Sequence, residues 1–251
     1  MASIESINKD KLPVHVAVIM DGNGRWAQRK GNSRIFGHKN GVLAVRETVE
    51  AAAEIGIQYL TLYAFSTENW SRPQDEVDAL MSLLFSTIEK ELSSLLKNNV
   101  RLHIIGDTSS LPKGVQKNLF SAIEKTSNNT GLNLVLALSY SGRWEIINAM
   151  QMLAKDVKNN LIQPDEVSCD SFVNYLTTSK LPDPELLIRT SGEYRISNFL
   201  LWQIAYAELY FTDTLWPDFR KEHFYDAIVD FQKRERRFGK ISEQIKSESV
   251  N

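Results

Sequence analysis

Cysteine is almost absent from this chain of 251 residues: Cys169 stands alone, in the polar setting EVSCDS. A single thiol rules out an internal disulfide and any metal site built from several cysteines, and it fits a reducing compartment. Long apolar runs are missing too. No stretch nears the roughly 20 apolar residues that cross a bilayer, and the opening MASIESINKD lacks the basic and apolar regions of a secretion signal. The expected location is cytoplasmic. Nor is there an excess of one charge: 29 Lys and Arg against 31 Asp and Glu leave a net charge of −2. That balance gives no general pull toward nucleic acid, so any anion must be held by local clusters. With no Pro/Gly/Ser-rich linker either, one domain is expected over 12–241, with flexible tails at 1–11 and 242–251.

What is present is alternation. Apolar runs at 14–20, 59–65, 101–105, 132–139, 186–188 and 208–211 read as strands, with helical patterns between them. The runs are continuous, as in strands covered on both faces, and the intervening segments suit crossover helices. The expected fold class is α/β, with a mostly parallel central sheet covered by helices. Helix 38–55 should stop at Gly56, and helix 75–98 should open just past Pro73 with Asp75 and Glu76 in its first turn. The second carries Val77, Leu80, Met81, Leu83, Leu84, Ile88, Leu92, Leu95 and Leu96 at helical spacing. Such a stripe is core by default; adjoining a phosphate site, it also suits the lining of a groove for a hydrocarbon tail.

In open α/β sheets ligands bind beyond the carboxyl ends of the strands, and three polar clusters fall there. Asp21 leaves the first strand and is followed by Gly22, Asn23, Gly24, Arg25 and Trp26. Glycines let backbone N–H groups face a phosphate, and a carboxylate beside them can hold a divalent cation. After the second strand come Ser66, Thr67, Glu68, Asn69, Trp70, Ser71 and Arg72. They read either as a well-capped turn with Trp70 plugging the core, or as a site whose Arg72 grips phosphate. After the fifth, Arg189, Arg195, Ile196 and Ser197 surround Gly192, ahead of a helix expected near Asn198. Ser197 or Asn198 can serve merely as its cap, but a cap leaves the two arginines unexplained. Arg34 and His38 flank the start of the first long helix, where the dipole adds to their charge; His38 also reads as a packing histidine. The basic run Lys233 to Arg237 reads as a solvated helix face.

Gly22 to Ala27 matches the dinucleotide pattern G-x-G-x-x-A, yet no acid stands about 20 residues on, and GxxxxGK[ST] occurs nowhere. From about residue 14 to 239 the chain resembles the cis-prenyltransferases. The likeness rests on HVAVIMDGNGRWA, GHKNG, YLTLYAFSTENWSRP, IIGD, SYSGRWEI, IRTSGEYRISNFLLWQIAYAELYF, WPDF and RERRFG, in that order. It implies sequential condensation of isopentenyl diphosphate onto an allylic diphosphate such as farnesyl diphosphate, giving a long polyprenyl diphosphate of undecaprenyl length for cell-wall lipid carrier synthesis. It also implies Mg²⁺, a homodimer, passing membrane contact at product release, and an apolar tunnel between sheet and helices. By resemblance, Asp21 binds Mg²⁺ with Glu208 as second ligand, and Gly22, Asn23, Gly24, Arg25, Arg34 and His38 hold the allylic diphosphate. Asn69, with Ser66 nearby, belongs to proton removal; Trp26 and Trp70 shape the site; Arg189, Arg195 and Ser197 cradle isopentenyl diphosphate, with Arg72 between. Thr67, Glu68 and Ile196 fall within the same substrate-binding loops. Ala64 and Leu132, with Leu80, Leu83 and Leu84, imply a tunnel for a long product. Tyr194 departs from members with histidine there. The competing reading is a noncatalytic subunit of the same fold, which could dispense with these polar loops; here they are present. No DDxxD cluster of a trans-prenyltransferase occurs.

Overall fold

The structure is a computed structural model that describes residues 2–237 and 241. Six strands form one parallel sheet: β1 (His15–Ile19), β2 (Tyr59–Ser66), β3 (Arg101–Ile105), β4 (Asn133–Tyr140), β5 (Leu186–Arg189) and β6 (Glu208–Phe211), in the order β3-β4-β2-β1-β5-β6. All five residues of β1 are buried, as its position between β2 and β5 requires. Alternate side chains serve opposite faces. Val16 and Val18 join a core made with α2 (Arg34–Ile55), α3 (Gln74–Lys97), α4 (Lys113–Thr126) and α7 (Lys221–Gln232). Ala17 and Ile19 meet Phe199, Leu200 and Ile204 on the other face. Behind these last residues, α5 (Gly142–Lys158) and α6 (Cys169–Val173) close a smaller cluster around Trp202.

β1, β2 and β5 are sheet neighbours, so the loops at their carboxyl ends meet. The helix expected over 38–55 starts four residues earlier, at Arg34, and ends as expected on Gly56, whose φ of +97° suits a residue without Cβ.

Three expectations change. The DGNGR turn is also the start of a helix, α1 (Asn23–Arg29), entered through Gly22 at φ +107°. No helix follows Asn198: residues 198–206 run as successive turns, with positive φ at Ser197, Asn198 and Leu200. Asn198 instead caps α5, its carbonyl accepting from Gly142 N–H at 2.7 Å and its Oδ1 from Arg143 N–H at 3.0 Å. The buried Phe199 and Leu200 fill the core from this turn. The amino-terminal residues are not a free tail: Ile7 is buried, and Asn8 N–H donates to Gln232 Oε1 at 3.1 Å. Packing of Ile7 against the main core supplies the apolar burial that a short polar sequence does not advertise. The segment 242–251 lies outside the described residues.

Candidate active site

Around Asp21 the first and third loops are joined by charge. The Arg189 Nη2 donates to Asp21 Oδ2 at 2.9 Å, and its Nη1 to Ser197 Oγ at 2.7 Å. Gly22 N–H donates to Asp21 Oδ1 at 2.7 Å, and Arg25 stands 3.5 Å from Oδ2. Burial pushes the Asp21 carboxyl up, but the hydrogen bond and charge of Arg189, then Gly22 N–H and Arg25, outweigh it and leave it below its usual range. Asp21 is therefore ionised at neutral pH. Arg25 also reaches Glu193 at 3.0 Å, and Glu193 holds the outward-facing Arg195 at 2.5 Å.

The second loop is built on a reciprocal turn. Ser66 N–H donates to Asn69 Oδ1 at 3.0 Å, which fixes the amide and leaves its Nδ2 as the donor toward a ligand. Asn198 Nδ2 donates to Glu68 Oε1 at 2.7 Å and so ties this loop to the third; Thr67 Oγ1 meets the same carboxylate at 3.3 Å. Trp70 plugs the core: its ring meets Phe65 edge-on while Nε1 donates to Ser139 Oγ at 2.9 Å.

Arg34, His38 and Arg72 converge on Glu76, at 3.4, 3.8 and 3.0 Å. Glu76 is only 8% exposed, and sequence reasoning assigned it to the helix dipole alone. Its adjacency to Arg72 across one turn, the i,i+4 spacing, was the available signal. Burial, then the cations Arg72 and Arg34, hold His38 down at about 4 despite Glu76, so the imidazole is neutral. Its Nε2 is buried without a hydrogen-bond partner, as are Asn23 Oδ1 and Arg189 Nε. The Arg34 guanidinium packs so closely over Gly24 that an added Cβ would lie 3.2 Å from Cζ, which connects this group to the first loop.

The Glu76 cluster, through His38 and Arg72, borders an apolar cavity of about 610 Å³ between α2, α3 and the sheet, and the first loop reaches that cavity through Met20 and Asn23. Its mouth carries Asn23, His38, Asn69 and Arg72; Ala64, Leu80, Leu83 and Leu84 line its walls, and Leu95, Asn98 and Val100 its far part. Leu132 is instead buried in the core. Trp216 lines the cavity, its Nε1 donating to Gly41 carbonyl at 3.0 Å; sequence reasoning passed over it. Trp26 faces elsewhere, stacked on Phe36 with Nε1 donating to Asp218 at 2.7 Å, so it holds α1 in place. Ile196 packs partly buried against the core around Phe199.

The structure does not bring Glu208 to Asp21. Glu208 opens β6 opposite Leu186, three positions before the register partner of Arg189, and pairs with Arg234 at 2.8 Å. The parallel register puts it at the other end of the sheet from the loops. Tyr194 is 76% exposed and leans on Phe211.

Residues 19–239 match the prenyltransferase family model described as "Putative undecaprenyl diphosphate synthase". An isoprenyl transferase of Chlorobaculum tepidum is 54% identical, covering 95% of this chain and 90% of that protein. The ditrans,polycis-undecaprenyl-diphosphate synthase ((2E,6E)-farnesyl-diphosphate specific) of Pasteurella multocida is 52% identical, over 94% and 99%. Lavandulyl diphosphate synthase from Lavandula x intermedia, crystallised with dimethylallyl diphosphate, superposes with a TM-score of 0.90 at 35% identity, over 92% of this chain and all of that one. Matched along nearly its whole length in sequence and in fold, the chain belongs to the cis-prenyltransferase family.

Proposed function

We propose that this protein condenses isopentenyl diphosphate repeatedly onto farnesyl diphosphate, building undecaprenyl diphosphate, the activity in the name of its Pasteurella relative. One observation carries the reading: two cationic clusters share one sheet edge, and one of them, through His38 and Arg72, opens onto an apolar cavity of about 610 Å³. Diphosphates suit the first feature and a hydrocarbon chain the second.

In this reading the allylic diphosphate lies at the amino-terminal end of α1, against Gly22 to Arg25, with Arg34, His38 and Arg72 beside it. Isopentenyl diphosphate takes Arg189, Arg195 and Ser197. The allylic C–O bond breaks, its electron pair leaves on diphosphate, the isopentenyl double bond attacks the freed carbon, and the resulting cation gives a proton to a diphosphate oxygen, which restores a double bond. Fixed guanidinium groups and backbone N–H donors stabilise the leaving charge where it develops. The neutral His38, with Nε2 unpartnered, is an open hydrogen-bonding group for the same oxygens. Asn69 has its Oδ1 committed to Ser66 and is an amide, so it orients isopentenyl diphosphate through Nδ2 and is no base.

Among the described residues no group of three or more His, Cys, Asp and Glu gathers as a metal cage. The single ionised Asp21 fits Mg²⁺, which binds through one or two carboxylates plus substrate phosphates and keeps several waters. When bound, the cation would neutralise diphosphate charge during departure. A homodimer and cytoplasmic location complete the proposal, with passing membrane contact when the apolar product leaves; among the described residues no helix is long and apolar enough to cross a membrane.

Purified protein given farnesyl diphosphate, labelled isopentenyl diphosphate and Mg²⁺ should yield long polyprenyl diphosphates by chromatography, and chelation should stop it. Asp21→Ala should keep its fold and lose most turnover. Near-normal turnover in that variant removes Asp21 from the mechanism, and absence of any product from the native protein overturns the function.

A further inference from the structure

The side wall of the cavity is closed by charge. Helices α2 and α3 both run from the carboxyl edge of the sheet back toward its other edge, and they are tied by ion pairs at two levels. The upper tie is Glu76 with Arg34 and His38; the lower is Arg46 on α2 with Glu91 on α3, at 2.5 Å. From a rise of about 1.5 Å per residue, the ties stand about 12 Å (from His38) to about 18 Å (from Arg34) apart along α2 and about 22 Å along α3.

Between them the wall is thin. Val42, Arg46, Leu83, Thr87 and Glu91 line the cavity and also line a groove on the outer side, where the exposed Lys39 and Lys90 flank it. Residues touched from both sides mark a window between the helices. The Arg46 side chain is half exposed and that of Glu91 about one-fifth, so the pair sits at the boundary of cavity and solvent. The other cavity-lining acids of α2 are drawn away: Lys221 of α7 holds Glu50 at 3.1 Å and Glu54 at 2.5 Å. Arg46 is thus the charge of α2 that reaches across to α3 at this level.

We propose that Arg46 and Glu91 are specificity-determining residues: their ion pair latches the lateral window and confines the growing hydrocarbon to the long axis of the cavity. The inference rests on the function proposed above. A chain lengthening inside the cavity must extend toward Leu95 and Val100 or bulge sideways between the helices. Sideways passage must first part the Arg46–Glu91 pair, and the energy of that pair is the barrier that it meets. Removing one partner leaves a short side chain facing a solvated charge, and the window can part.

The test has one readout that needs no catalysis. Dansyl-labelled dodecylamine is preloaded into the native protein, Arg46→Gln, Glu91→Ala and the reversed pair Arg46→Glu/Glu91→Arg, and its release is followed by stopped-flow fluorescence. An exposed pair contributes up to about 1 kcal/mol, so either single variant should release the probe about two- to fivefold faster, and reversal should restore the native rate. Products of prolonged condensation are sized in parallel; the single variants should give a broader length distribution than the native protein, and the reversed pair the native one. Melting temperatures identify any variant that fails to fold, in which case the other single variant decides. Native release rates in a folded single variant overturn the latch, and so does a reversed pair that releases as fast as the singles. If the native protein forms no condensation product, the proposed function falls while probe release still judges the latch.

Discussion

Glu76 is a buried carboxylate that answers three cationic or basic side chains, and its removal should separate the two substrate sites. In Glu76→Gln, Arg72 and Arg34 lose the charge that holds them at the mouth. The apparent affinity for the allylic diphosphate should fall about tenfold, since charge-assisted bonds contribute about 1.5 to 3 kcal/mol. Affinity for isopentenyl diphosphate should change less. Arg195→Ala should do the reverse, weakening isopentenyl diphosphate about tenfold to a hundredfold by the same magnitudes. Steady-state KM values for both substrates check the pair; equal effects on both would merge the sites into one. At this scale the sequence exposed the residues that carry charge, because Asp21, Arg72, Arg189 and Arg195 stand in polar loops directly after apolar runs. It hid the partnerships. Glu76 looked like an ordinary first-turn acid, Glu208 shared a motif with the site yet lies at the other end of its strand, and Trp26 turns to Asp218. Which way a side chain faces depends on contacts made far along the chain.

Helix crossings explain residues that motif reading left unexplained. Gly37 and Gly41, the glycines of GHKNG, let α2 press against Asn23 of α1: a Cβ on Gly37 would lie 2.0 Å from the Asn23 carbonyl oxygen, and one on Gly41 2.5 Å from its Oδ1. Replacing glycine by alanine inside a helix ordinarily gains up to about 1 kcal/mol of propensity. At Gly37 the clash is with backbone and cannot be relieved by a side-chain turn, so overpacking, about 1 to 3 kcal/mol or more, should win. Gly37→Ala should lower the melting temperature and shift α1 with its Asp21 loop. Gly114→Ala in α4, where an added Cβ meets nothing within 4 Å, should instead stabilise slightly. Thermal unfolding of the two variants side by side checks the signs; a stabilised Gly37→Ala would refute the close crossing. The strands and long helices were legible because apolar periodicity and Gly56 mark them locally. The turns over 198–206 were not, because an apolar stretch reads the same whether it coils or fills a core from irregular backbone.

Across the whole molecule, the buried His15 and the largely enclosed His38 join distant segments, and both are kept neutral. His15 at the start of β1 places Nδ1 2.6 Å from Pro182 carbonyl and Nε2 2.7 Å from Thr61 Oγ1 on β2. A carbonyl only accepts, so Nδ1 carries the proton and Nε2 takes the threonine hydroxyl. Burial lowers His15 to about 4 despite the Pro182 bond, matching His38 between α2 and α3. The sign follows from linkage. Unfolded histidine takes up a proton near its ordinary value of 6.5, whereas the folded protein resists until about 4, so each group's contribution is complete above 6.5 and is lost as pH falls toward 4. Each accounts for about 3 kcal/mol over that window, and Asp21 and Glu68, with carboxyls held below their usual range, add losses of the same sign at lower pH. Urea unfolding should therefore show stability dropping by several kcal/mol between neutral pH and about pH 4.5. In His38→Asn that drop should shrink by about 2 to 3 kcal/mol, because asparagine has no proton to take up. A drop identical to that of the native protein would mean that His38 titrates normally in the fold. The joint between α2 and α3 would then owe nothing to a neutral imidazole.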